Sequence, residues 1–247
     1  MWLFKEQGLS DALRASHVIS AVMWMGLLWF FNFVQTPAYA EMDPAARNNA
    51  FDKLTWRALW WFRWAAAATL VFGFLIIFQL TDVYMDSDFW KSTSGLTLLL
   101  GIIMAIVMAA NVWMVIWPNQ QIVIGNARTV QGGGEANPEA PAAARRGAMA
   151  SRQNTIFSFP VLFFMLGASH FYGYSYWDQS LSGGTWFIYF LIGVIIIAVL
   201  ELNALQKISG AGNGGLNVIY ETHINAMYTG FGLIAFWYIF AEILLKQ

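Results

Sequence analysis

Three histidines, His17, His170 and His223, are the whole imidazole inventory of this 247-residue chain, and each lies inside or at the end of a long apolar segment. An ionisable ring in hydrocarbon is costly unless it is paired, hydrogen-bonded or metal-bound, so each marks a candidate functional site. The sequence has no cysteine, which excludes thiolate zinc sites, iron–sulfur ligation and covalent c-type haem attachment within it. Any metal must be held by His, carboxylate, Met or amide groups. A phosphate-cradling loop does not occur, because Gly132-Gly133-Gly134 is followed by Glu135 rather than by Lys and Ser/Thr. Neither a His-Glu-x-x-His pair, a nucleophile elbow nor an EF-hand loop is found.

The elements that must position these rings are membrane helices. With 58% hydrophobic and 11% charged residues, the chain exceeds what a soluble core uses. Six stretches of about 20 mostly apolar residues qualify as spans, at 15–36, 58–80, 95–117, 155–176, 185–206 and 217–244. They are continuous apolar runs rather than the alternating pattern of a barrel, so the expected fold is all-α, a polytopic bundle of about six transmembrane helices forming one domain over residues 1–247. Trp56, Trp60, Trp61, Trp64, Trp117, Tyr172, Tyr174, Tyr176 and Trp177 gather at span ends as an interfacial belt. Residues 1–14 read as a short amphipathic helix on the bilayer surface and not as a removable signal peptide. The stretch 126–150, with Gln131-Gly-Gly-Gly-Glu-Ala-Asn-Pro-Glu-Ala-Pro141, reads as a flexible cytoplasmic loop between two three-helix halves.

Orientation follows from the cations. Arg47, Lys53, Arg57, Arg63, Arg128, Arg145, Arg146, Arg152 and Lys207 lie on one side, against Lys5, Arg14, Lys91 and Lys246 on the other. The richer side is expected in the cytoplasm, with both termini outside. The net charge of −1 and the scatter of cations among short connections offer no broad face for nucleic acid.

In this topology His17 and His170 share a depth near the outer face. His170 has Gly167 and Gly173 three residues to either side, and His17 has Ser20 and Ala21 on its next turn. Two rings at one depth on small-residue faces suit a b-type haem held by axial imidazoles, with Met23, Trp24, Phe163 and Phe164 about its edge. Small residues also let helices pack closely, and a histidine there can instead hydrogen-bond water or a neighbouring carbonyl. His223 lies toward the opposite face, where Arg63, Asn111, Asn154 and Glu201 come from four other spans, with Glu221 nearby. That group could line a cavity for a quinone head group, a polar small substrate or a second metal, or His223 could be a haem ligand; the other reading is a wet helix end.

Several blocks resemble the urate oxidase N-terminal family, the membrane part of bacterial urate hydroxylases. They are Ser16-His17-Val-Ile, Trp24-Met-Gly26, Phe31-Asn-Phe-Val-Gln-Thr-Pro37, Trp60-Trp-Phe-Arg-Trp64, Asn111-Val-Trp113, Ile116-Trp-Pro-Asn119, Ser151-Arg-Gln-Asn154, Pro160-Val-Leu-Phe163 and Ser169-His-Phe171. The resemblance implies a multi-helix domain of a bacterial inner membrane, linked to oxidation of urate or a related purine, with electrons passed to a c-type cytochrome. Lacking Cys-x-x-Cys-His, this sequence departs from full-length relatives, and is expected to be a stand-alone paralogue that donates electrons to a separate cytochrome or has lost the chemistry. The expected function is a haem b electron-transfer or oxidase subunit, with Arg63, Glu201 and Glu221 at the substrate or quinone side. A self-associating membrane scaffold and a purine or small-molecule transporter are the alternatives.

Overall fold

The computed structural model describes residues 6–80, 85–170 and 180–245, with backbone alone at 6, 7, 169 and 170. Residues 1–5, Tyr172, Tyr174, Tyr176, Trp177 and Lys246, all used in the topology above, lie outside the described residues. Helix α1 (Glu6–Trp29) runs through a π-helical turn (Phe30–Gln35) into α2 (Thr36–Glu41). Helix α3 (Pro44–Ala50) runs through a second π turn (Phe51–Thr55) into α4 (Trp56–Gln79). After α5 (Ser87–Lys91), α6 (Thr93–Ala110) passes through a third π turn (Asn111–Ile116) into α7 (Trp117–Gln131). Then follow α8 (Ala140–His170), α9 (Gly183–Ala204), a 3-10 turn (Gly215–Asn217), α10 (Val218–Glu221) and α11 (His223–Leu244).

Local chemistry sets these boundaries. Ser92, Ser182 and Thr222 cap α6, α9 and α11 by accepting from the backbone N–H of Gly95, Thr185 and Asn225. Two of the π turns stand just before a proline, Pro37 and Pro118, whose ring clashes with the carbonyl one turn back. The wider turn accommodates this: Thr36 N–H donates to Phe31 O and Trp117 N–H to Val112 O, five residues back in each case.

Five helical rods among the described residues are long and apolar enough to cross a membrane: Gly8–Glu41, Pro44–Gln79, Thr93–Gln131, Gly183–Ala204 and His223–Leu244. The protein is an all-α membrane bundle. The first three rods have 34, 36 and 39 residues, or about 50–60 Å at 1.5 Å per residue, well beyond a hydrocarbon core of about 30 Å. They therefore extend past the hydrocarbon, and their ends at Glu41, Pro44 and Gln131 stand on the basic side of the bundle. Several sequence expectations change accordingly. Residues 6–14 continue the first span instead of forming a separate surface helix, and the last span starts at His223, after a break at Thr222. The expected loop 126–150 contracts to 132–139, because α7 and α8 run on as polar helices outside hydrocarbon, where no apolar run betrays them. Helix α8 packs along α6 and α7 as well as α11.

Helix α8 is the hub. It touches α1, α6, α7, α9, α10 and α11, and its Gln153, Asn154, Thr155, Phe157 and Ser158 are fully buried. Its neighbours turn the reverse pattern outward, with Val18, Ile19, Val22, Phe78, Ile195 and Ile243 exposed as a lipid face. Trp24, Leu28, Phe62, Leu100, Met108, Phe164, Tyr189 and Trp237 fill the interior. Close approach of α11 to α8 depends on Gly230, where an added Cβ would lie 2.4 Å from Phe159 Cδ2 and 3.1 Å from Ile156 O. Gly230→Ala is expected to destabilise the bundle by about 1–3 kcal/mol, read as a lower thermal midpoint in detergent; an unchanged midpoint would refute this contact.

Candidate functional site

His17 sits on the face of α1 that packs against α4. Its Nδ1–H donates to the carbonyl of Thr69 at 2.8 Å, and the Thr69 hydroxyl bonds back to Ala65 O at 2.7 Å. One turn on, Gly73 makes room for the ring: a Cβ there would lie 3.1 Å from His17 Cε1 and 3.3 Å from Nδ1. With Nδ1 protonated and committed to a carbonyl, the neutral ring keeps its lone pair on Nε2, the tautomer that a metal-ligating histidine uses. Trp24 lies two turns along the same helix, fully buried, and its indole N–H has no partner among the described residues. The expected edge residues divide: Phe164 is buried with Trp24, whereas Met23 turns outward with an exposure of 41%.

The His170 side chain lies outside the described residues, but its backbone closes α8. Helices α1 and α8 run antiparallel, with Trp29 Nε1 donating to Ser158 Oγ at 2.8 Å. Twelve residues from that bond toward the far end on each helix lead to 17 and to 170. Positions 17 and 170 thus stand the same number of residues from this bond, on antiparallel helices.

Toward the basic end, three of the expected polar residues meet. Asn111, at the start of the third π turn, donates to Asn154 Oδ1 at 3.0 Å and Glu201 Oε2 at 2.9 Å. Asn154 in turn donates to Met108 O at 2.8 Å. Next to them the Tyr220 hydroxyl donates to Gln153 Oε1 at 2.8 Å, with Leu200 O 2.9 Å away. The third rod, α8 and α9 are thus tied through one half-buried carboxylate and two buried amides.

The other expected members go elsewhere. The Arg63 guanidinium lies on Trp117, 3.4 Å from the ring centroid, and 5.2 Å from that of Trp113; matching depth on a helix does not fix which way a residue faces. Glu221 is held by Arg145 at 2.7 Å, while Arg152 donates to the Glu221 and Tyr220 carbonyls. Arg145 also donates to Ala211 O and Gly212 O, at 3.1 and 3.3 Å, and so pins the glycine-rich loop after α9. The partner of Glu221 thus comes from the stretch expected to be a loop. His223 opens α11 against Phe33, with 6.1 Å between ring centroids. Sequence reasoning missed Thr69 and Gly73; their spacing of four on one face was the available signal.

Comparison with known proteins adds one finding. A family model described as urate oxidase N-terminal matches residues 82–212, just over half of the chain. The match takes in Asn111, Asn154, His170 and Glu201 and leaves out His17, Arg63, Glu221 and His223. No curated protein and no solved structure matches the chain.

The role of Arg145 as a clamp is open to test. Arg145→Ala should free the loop 205–217 and expose the bond after Lys207 to trypsin, raising its cleavage rate about tenfold or more if the clamp contributes at least ~1.4 kcal/mol, within the range for hydrogen bonds to charged groups. Cleavage at the wild-type rate would show that the loop holds without it.

Proposed function

The chain belongs to the urate oxidase N-terminal family, and we propose that it is a membrane redox subunit in which His17 and His170 hold a b-type haem. The observation that carries this reading is the bond from His17 Nδ1–H to Thr69 O. It orients the imidazole and leaves Nε2 as a donor atom. Gly73 gives the ring its place, and positions 17 and 170 stand equally far along α1 and α8 from the Trp29–Ser158 bond, as two residues holding one haem would. The unpartnered Trp24 N–H is a further polar group that a bound cofactor or its water would satisfy. Haem bound there would supply one-electron redox chemistry.

The chain's own residues then divide the work. Thr69 and Gly73 hold the His17 ring, and buried Trp24, Leu28 and Phe164 keep water from that end of the bundle. Glu201, hydrogen-bonded by Asn111, takes up one of the two protons released as a quinol or purine substrate on that side gives up two electrons in successive one-electron steps. The cation distribution supports a topology with the basic end in the cytoplasm and both termini outside a bacterial inner membrane. A c-type cytochrome is the external acceptor in this reading.

An oxidised and reduced absorption spectrum of the purified protein tests this reading. A Soret band is expected, lost in both His17→Ala and His170→Ala, and shifted toward the reduced form by a quinol or by urate. Gly73→Val should weaken haem retention about tenfold or more through the displaced ring, while the bundle still purifies as wild type. A colourless preparation would overturn the haem and leave a scaffold or a carrier.

A further inference from the structure

We propose that the groove where the second π turn meets α4, facing α7, binds the anionic headgroup of a glycerophospholipid. The groove encloses about 600 Å³ and is lined by Asp52, Lys53, Trp56, Arg57, Trp60 and Arg128. Its one carboxylate is already taken, since Arg128 Nε donates to Asp52 at 2.5 Å. Lys53 and Arg57 are exposed and have no acidic partner in an ion pair among the described residues. They leave the groove two uncompensated positive charges, which calls for an anion. The walls are stiff: Arg128 lies 4.7 Å from the Trp56 ring centroid, and Trp56 packs on Trp117 at 5.1 Å.

The same rod tells a lipid from a soluble anion. Lys53, Trp56, Trp60 and Trp64 recur every three or four residues and so follow one face, with Arg57 one turn on from Lys53. Beyond them, in the same register, come Val71, Leu75 and Phe78, exposed by 54, 42 and 62%. Along this stripe the surface passes from cations to indoles to aliphatic and phenyl groups. A phospholipid has that order of chemistry, from phosphate through glycerol ester to acyl chain, and indoles favour the ester level of a bilayer. Basic pockets between spanning helices are suited to lipid headgroups.

Native mass spectrometry of the full chain released from detergent provides the test, with phosphatidylglycerol, phosphatidylcholine and inorganic phosphate as probes. Phosphatidylglycerol should be retained more tightly than phosphatidylcholine. The double variant Lys53→Gln/Arg57→Gln should weaken phosphatidylglycerol about thirtyfold, at about fivefold per cation near a membrane surface, and leave phosphatidylcholine unchanged. Lys91→Gln, which removes an exposed cation at the far end, should alter neither. Equal retention of the two lipids, or wild-type retention of phosphatidylglycerol by the double variant, would overturn the proposal. Displacement of phosphatidylglycerol by equimolar inorganic phosphate would also overturn it, showing that the groove reads a free anion.

Discussion

A bilayer offers no water to a polar side chain, so such a group on a spanning helix needs a partner within the protein, on its own helix or on another. Helix α8 carries this constraint for the whole bundle. Ser151 accepts from Asn32 at 2.9 Å, Gln153 from Tyr220 at 2.8 Å, Asn154 from Asn111 at 3.0 Å and Ser158 from Trp29 at 2.8 Å. These partners arrive from different sides, which is why α8 has to stand in the middle. Each interhelical bond contributes only about 0.6 kcal/mol on average. Their direction, more than their strength, sets the register of the neighbours.

Two π turns fit this scheme. Asn32 and Asn111 occupy widened turns, and both reach α8 from there, at Ser151 and Asn154. Asn32 also satisfies Leu28 O within its own helix at 2.9 Å. Each rod thus turns an amide toward the hub near the level at which it prepares for a proline. Departures from regular α-helix here have a polar neighbour and a steric cause, in keeping with the tendency of such turns to occur where function or packing requires them.

Much of this was legible in the residues, for physical reasons that differ from place to place. Runs such as Leu98–Val107 can only be helices in hydrocarbon, and counting along them brought Asn111, Asn154 and Glu201 to one depth. Depth could not reveal that Arg63 turns to Trp117, because azimuth depends on neighbours that a single helix does not encode. Nor could it pair Glu221 with Arg145, since that arginine lies on a polar helix that projects beyond the membrane and has no apolar signature. Thr69 and Gly73 were hidden among alanines and leucines of an ordinary span, their role visible only once α1 lay against them.

The polarity of α8 also bears on how the chain reaches its place. Among the described residues it is the long helix that falls short of the apolar character of the five spanning rods. A segment with Arg152, Gln153, Asn154 and Ser158 gains little by entering lipid alone. Its transfer from water becomes favourable only when Asn111 and Trp29 from earlier helices, and Tyr220 from a later one, are there to receive it. Membrane insertion and tertiary assembly are therefore a single coupled event for this helix, and the order in which the ribosome delivers its neighbours becomes part of the folding problem.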